Sequence, residues 1–505
     1  RCGTLSRAMT TAQSALTQLK ARLAEVADLE RVGMLLAWDQ EVAMPRGGAE
    51  ARAQQRASVE RLCHERFTDD RVGELLDAAV AETPLDEDLL AVTRRDLDKA
   101  RRVPGDLVAE LVHAAATGHE AWTKAHAASD FTPFEPFLRR NVELRRQYIA
   151  CFPEVPRPYD ALLDDFEPQM RTEQAQDVLG RLRDGLIPLV EAAAGPPADA
   201  ILQGSSFPVD AQRGFVETVL RQVGVDDERW RLDVAVHPFA ATMGLGDVRL
   251  TTRYAPDDLD SLYSSLHEFG HGLYEAGIDP ALARSPLQGG VSSAVHESQS
   301  RLWENMVGRS SGFWRWGFPH LQAAFPDRFA GRTWQDVHRA VNAVRPSLIR
   351  VTADEVTYGL HIALRFELEL ALFEGDLDPA DLPEAWNERT RAYLGLEVPD
   401  DAHGVLQDVH WAEGLFGYFP TYALGTVISG QLWARINADV PDLEERLARG
   451  DFGPLREWLA ERVHRHGRRL TPTELVARAA GGPLDPEPYL DYLRAKLAGS
   501  APLVG

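Results

Sequence analysis

The sequence predicts a mainly α-helical protein carrying one small sheet, and two observations carry that prediction. Along most of the 505-residue chain apolar residues recur three and four positions apart, the repeat of a helix with one buried face. Between about 228 and 254 the repeat shortens to two, in Trp230, Leu232, Val234 and Val236 and again in Val248, Leu250, Thr252 and Tyr254. That change predicts two strands of a small antiparallel sheet.

Taken in order, Leu16, Leu19, Leu23, Val26 and Leu29 open a long amphipathic helix whose intervening positions carry charge. Met44-Pro45-Arg46-Gly47-Gly48 makes a turn before an Ala- and Arg-rich helix around Glu50 to Arg61. Helical patterns continue through Leu75, Leu89, Leu107 and Val112, separated by breaks at Thr83-Pro84 and Val103-Pro104. Pro153 to Pro158 stiffens the next connection, and helical spacing resumes at Tyr159 and runs on through Leu179, Leu182, Leu186 and Leu189. The acidic stretch Asp164-Asp165-Phe166-Glu167 reads as a solvated loop, with a second metal site as the alternative. On the second strand Asp247, Arg249, Thr251 and Arg253 share a polar face just before the next helix, where a bound peptide could pair as an added strand.

That helix carries the chemistry. Leu259, Leu262, Leu266, Phe269 and Leu273 set its apolar face, and His267 and His271, four apart, project together and can present two imidazole nitrogens to one metal ion. Glu268, turned about 100° away, can miss the metal yet reach a water held there, the place of a general base. A third His six residues after the second is excluded, because position 277 is Gly. The third ligand is therefore sought on a following Ser-capped helix, Ser292 to Arg301, where Glu297 is preferred and His296 is the rival. Two His and one Glu leave a fourth position open, as in catalytic zinc sites. An N/N/O set of this kind also accepts cobalt.

Beyond it Arg350, Asp354, Tyr358 and His361 fall at helical spacing, which predicts a polar stripe in which Asp354 pairs with the Arg350 guanidinium. Gly404 to Trp411 and Phe416 to Tyr422 form a second region rich in His, Tyr and other aromatics, and the last eighty residues return to amphipathic helix.

Composition narrows the functions. With 54 basic against 77 acidic residues the net charge is −23, which argues against a nucleic-acid partner. The chain has no apolar run long enough to span a membrane and its first residues lack the apolar core of a signal peptide. Cys2, Cys63 and Cys151 are too few and scattered for a disulfide framework, so a reducing cytoplasm is expected. Met9 reads as the native start, with residues 1–8 an extension. The rest, 9–505, reads as one catalytic unit, a helical part to about 225 followed by a zinc- and substrate-binding part from about 226.

Several stretches together resemble the carboxypeptidase Taq family of zinc metallocarboxypeptidases. They are His267-Glu268-Phe269-Gly270-His271, His296-Glu297-Ser298, Asp247-Val248-Arg249-Leu250-Thr251, Ile349-Arg350-Val351-Thr352-Ala353-Asp354 and Gly404 to Trp411, together with His237-Pro238-Phe239 and Tyr418 to Tyr422. The resemblance implies a saddle-shaped helical protein with a deep groove, akin to angiotensin-converting enzyme and neurolysin, and usually a homodimer. It implies removal of C-terminal residues from peptides with a free C-terminus, with broad side-chain tolerance and poor action next to proline. On that reading His267, His271 and Glu297 hold Zn²⁺, and Glu268 activates the water. His410 and Tyr422 are candidates to stabilise the oxyanion, with Tyr418 the alternative phenol. Arg350 and then Arg249 are the candidates to grip the terminal carboxylate, while His237, Asp247 and Gln407 join the substrate-binding set. An internal-bond oligopeptidase and a binding protein with a vestigial site are the rival readings.

Overall fold

The computed structural model describes residues 2–193, 200–202, 207–375 and 377–500. Four helices come first: α1 (Cys2–Val42), α2 (Ala49–Thr68), α3 (Asp70–Ala78) and α4 (Pro84–Arg102). α4 starts at a reciprocal cap, the Thr83 hydroxyl accepting from the Asp86 N–H while the Asp86 carboxylate accepts from the Thr83 N–H. Leu19 and Leu23 of α1 meet Val72, Leu75 and Leu76 of α3 and Leu89 and Leu97 of α4 in a small apolar cluster that also takes in Ile278, Leu282 and Leu287. The helix backbone runs unbroken from Cys2 to Val42, and Arg1 lies outside the described residues.

A far larger core runs from Leu107 to Leu493. Into it pack α5 (Gly105–Ala128), α6 (Glu135–Ala150), α7 (Pro158–Leu163), α8 (Thr172–Ala193) and α9 (Val209–Val223). The same core holds the apolar faces of α10 (Asp260–Ala276), α11 (Ser293–Arg301), α12 (Ser311–Ala324), α13 (Trp334–Val341), α14 (Tyr358–Glu374), α15 (Leu382–Leu394) and α16 (Phe419–Asp439). Four further helices, α17 (Leu443–Leu447), α18 (Gly453–Arg462), α19 (Pro472–Ala480) and α20 (Glu487–Ser500), close the described chain. Packing thus crosses residue 226 without a seam.

The sheet corrects one expectation. Its strands are β1 (Trp230–Val234), β2 (Ala240–Gly244) and β3 (Asp247–Thr252), in the order β1-β3-β2. The two strands legible in the sequence pair in parallel, Trp230 opposite Val248 and Leu232 opposite Leu250, instead of antiparallel. The reason is β2, whose Ala-Ala-Thr-Met-Gly lacks a strong alternation; it turns back through Leu245-Gly246 to pair antiparallel with β3. With the reversal spent on β2, β3 runs in the direction of β1. Trp230 reaches down to Phe269 of α10, 5.6 Å between ring centroids, so the sheet rests directly on the histidine-bearing helix.

Candidate metal centre and its surroundings

Helix α10 buries Leu262, Leu266 and Phe269 and turns His267 and His271 toward α11. α11 begins where the Ser292 hydroxyl accepts from the Val295 N–H, and a second acceptor, the Glu167 carboxylate, takes the Ala294 N–H at 2.5 Å. The two helices touch closely, since a Cβ on Gly270 would stand 2.4 Å from the Gln299 carbonyl oxygen. That contact brings Glu297 opposite the two histidines. Its Oε2 lies 3.6 Å from His267 Nε2 and 3.5 Å from His271 Nε2.

These separations fit a metal. Donors about 2.0–2.1 Å from a tetrahedral ion stand roughly 3.3–3.4 Å apart, so three such atoms already surround a point where zinc would sit. Among the described residues these three are the one group of His, Cys, Asp or Glu that converges in this way.

Each donor is held from behind. His267 Nδ1 meets Glu304 Oε2 at 2.8 Å, and His271 Nδ1 meets His296 Nδ1 at 2.6 Å. His296 Nε2 in turn faces Glu275 at 3.3 Å, so this residue, the rival ligand, stands behind His271. With Nε2 of His271 turned to the metal point, its Nδ1 carries the hydrogen and His296 accepts it. Arg301 Nε donates to Glu297 Oε1 at 2.7 Å.

Charge follows the packing. Burial alone would raise Glu297, but Arg301 and the two imidazoles outweigh it and hold the carboxyl well below the usual range. Burial disfavours the charged form of both histidines; it takes His271 down to about 4, whereas Glu297 and Glu304 push His267 up to about 9. Glu268 is not one of the converging donors; burial raises it to about 7.

A cleft of about 520 Å³ opens beside the centre, lined by His271, Glu297, Phe166, Val291, Tyr418 and Tyr422 among others. The Tyr422 hydroxyl is 3.1 Å from His410 Nε2, and Tyr418 stacks on the His410 ring. Burial raises both phenols, Tyr418 to about 12, so each keeps its hydrogen to donate. Burial also lowers His410 to about 4, leaving a neutral ring.

Arg350 lies 5.1 Å from the centre of the Tyr422 ring. The expected pairing with Asp354 is overturned. Arg350 stands in a 3₁₀ turn before α14, and Asp354 is spent on the N–H groups of Arg345, Val356 and Thr357. Asp408 holds the guanidinium instead, accepting from Nε at 3.0 Å and from Nη2 at 2.7 Å. Gln407 accepts the Arg350 N–H and donates to the Leu348 carbonyl, so its amide serves this turn. Arg249 donates to Asp247 through Nε and Nη2, one edge of its guanidinium, and lies 4.3 Å over the Trp38 ring of α1. His237 is exposed between β1 and β2.

The acidic stretch is neither a metal site nor a solvated loop. Asp164 and Asp165 pair with Lys99, each at 2.7 Å, and Glu167 is fully enclosed at the start of α11.

Supporting residues that escaped the sequence reading include Glu304, Arg301, Asp408 and Glu369. Glu369 accepts from Tyr159, from Trp411 Nε1 at 2.7 Å and from the Gly417 N–H at 2.9 Å, which fixes the segments on either side of His410 and Tyr418. Its signal in the sequence is weak, because Glu367 and Glu369 alternate with leucines in Phe366-Glu367-Leu368-Glu369-Leu370 and the pattern does not say which acid is buried.

Residues 18–497 match the family model of the carboxypeptidase Taq (M32) metallopeptidases. The chain is 43% identical over 492 residues to thermostable carboxypeptidase 1 of Thermus thermophilus, covering 94% of this chain and 96% of that one. Carboxypeptidase 1 of Bacillus subtilis is 38% identical over 472 residues, covering 92% and 94%. The crystal structure of an M32 carboxypeptidase from Deinococcus radiodurans superimposes with a TM-score of 0.94 at 44% identity, covering 96% of this chain and 99% of that chain.

Proposed function

Because the chain belongs to the carboxypeptidase Taq (M32) metallopeptidase family, we propose that its metallocarboxypeptidase activity is carried by His267, His271 and Glu297 as metal ligands and Glu268 as general base. The observation that supports this most is the convergence of three donors at 3.5–3.6 Å with a buried carboxylate on the next residue. When bound, a divalent cation there, zinc in our reading with cobalt able to replace it, polarises the scissile carbonyl and lowers the pKa of a coordinated water toward neutrality.

The chain's own groups do the rest. Glu268, raised by burial to about 7, takes the proton of the attacking water and returns it to the leaving amine. Tyr422 and His410 face the developing oxyanion, and Tyr418 is the second phenol within reach. Removing one such donor typically costs about 10²–10³ in rate. Arg350 meets the terminal carboxylate through its Nη1 side, since Asp408 occupies the other edge. Arg249, already bound by Asp247 and Trp38, holds α1 to the sheet, and His237 contacts the peptide upstream. Broad side-chain tolerance, poor action next to proline and a homodimeric, cytoplasmic enzyme complete the reading from the family resemblance.

The test is hydrolysis of an N-blocked dipeptide with a free carboxylate, beside its C-terminal amide, by metal-loaded protein and by Glu268→Gln. Cleavage of the acid alone, with metal retained but turnover lost in the variant, is the expected result. Undiminished turnover in Glu268→Gln rejects the general base, and equal cleavage of acid and amide rejects carboxylate recognition in favour of an oligopeptidase.

A further inference from the structure

We infer that Arg365, enclosed behind the site, sets the preference for a free C-terminal carboxylate by keeping the Arg350–Asp408 pair cationic. The inference rests on the reading that Arg350 is the group that meets the substrate carboxylate.

Taken alone, Arg350 and Asp408 form a neutral pair. Asp408 Oδ1 accepts from both Nε and Nη2 of Arg350, and both side chains are nearly buried, 8% and 9% exposed. A guanidinium neutralised so closely is a poor receptor for a second anion in a chain of net charge −23. Arg365 changes the count. Its Nε and Nη2 stand 2.7 Å and 2.5 Å from the other oxygen of the same carboxylate, Oδ2. Two cations then share one anion, and the cluster carries one positive charge.

The neighbouring groups leave that charge in place. Arg365 has no exposed surface and lies 4.5 Å over Trp386, and its Nη1 donates to the His361 carbonyl at 2.6 Å. Among the described residues no other carboxylate pairs with Arg350 or Arg365. His361 and His410, the imidazoles beside the cluster, are buried and neutral, lowered to about 3 and about 4. On Arg350 the nitrogen that Asp408 leaves is Nη1, which donates to the Tyr358 hydroxyl at 3.3 Å; in the reading above it is the atom that meets the substrate carboxylate. Field from a buried charge is little screened by water, so Arg365 acts on the substrate without touching it. It is a positioning and charge-supplying residue, and Asp408 is the joint between it and Arg350.

The experiment follows KM and kcat for the N-blocked dipeptide acid in wild type, R350Q, R365M, D408N and R365M/D408N. R365M leaves the pair neutral and is expected to raise KM about tenfold or more while changing kcat little. The double variant restores one net positive charge and is expected to bring KM back to within about threefold of wild type. A merely structural role for Arg365 predicts the opposite, a double variant as weak as R365M or weaker, and that result overturns the inference. If R350Q leaves KM unchanged, the Arg350 reading itself fails; if R350Q raises KM and R365M does not, only the inference fails. Should R365M not fold, D408N decides alone. It leaves two cations and is expected to hold KM at or below the wild-type value, and a rise overturns the proposal.

Discussion

His267 and His271 were legible from their spacing alone, but what aims them at one point was not. Glu304 lies seven positions beyond Glu297 in a π-helical turn, Leu302–Val307, that reads as ordinary apolar helix. Only the fold brings its carboxylate to His267 Nδ1. His296 stands beside Glu297 in the sequence, where it reads as the rival ligand. The structure puts it behind the His271 ring. Partners of this kind fix ring orientation and typically change metal affinity by about 10–100-fold. Glu304→Gln and His296→Phe are each expected to weaken metal binding by that factor in a chelator competition, with helix content unchanged. An unchanged dissociation constant in both would mean that helix packing alone orients the rings. Asp408 was hidden for a similar reason: it lies 58 residues from Arg350, while Asp354 stood at an inviting helical interval that the chain spends on a turn.

At the scale of elements, helix positions were legible because a buried face leaves a period, whereas helix contacts are set by what is missing from a side chain. Gly270 of α10 faces Gln299 and Ser300 of α11, and Gly425 of α16 faces Glu297, where an added Cβ would come within 2.7 Å of the Glu297 Cβ. α11 is therefore clamped between two glycine contacts. Gly270→Ala or Gly425→Ala should push α11 away, cost about 1–3 kcal/mol in stability and weaken metal binding at least tenfold. Thermal unfolding with and without chelator separates the two effects, and a variant with full metal affinity would show that α11 is not seated by these contacts. The start of α11 carries a second consequence. Glu167 is fully enclosed, and burial raises it to about 8. Its folded-state value thus exceeds its unfolded value of about 4.3, so the native state binds more protons between those pH values. The contribution is complete below the lower value and is lost as pH rises through about 8. Glu167→Gln, which keeps the acceptor for the Ala294 N–H, should flatten the fall of stability between pH 5 and 8 by a few kcal/mol. A wild-type slope in the variant would assign the pH dependence elsewhere.

On the scale of the molecule, the N-terminal helices are joined to the body through a mixed seam. The small apolar cluster reaches across at Ile278, Leu282 and Leu287, with the half-buried Leu245 packed against it. Ion pairs do much of the rest: Arg95 and Lys99 of α4 with Asp164, Lys99 with Asp165, Asp96 with Arg468, Asp88 with Arg469, and Arg31 of α1 with Glu275. The helical character of this region was legible, but its separate packing was not, because the polar stripe along α4 looks the same whether it meets water or a row of opposite charges. Arg95, Asp96 and Lys99 also line the cleft beside the metal centre, so loosening this seam opens one wall of it. These pairs are only partly buried, so salt screens them in part, whereas the large core is apolar and is not screened. Raising ionic strength from 0.05 M to 0.5 M should therefore speed amide exchange in α4 by about three- to tenfold, the effect of about 1 kcal/mol, and leave α14 unchanged. Asp164→Asn, which removes the negative charge shared by Arg95 and Lys99, should give the same acceleration at low salt and respond less to added salt. Equal acceleration in α4 and α14 would mean that salt acts on the whole molecule, and no acceleration in either would mean that the apolar contacts at Ile278, Leu282 and Leu287 hold the lobe by themselves.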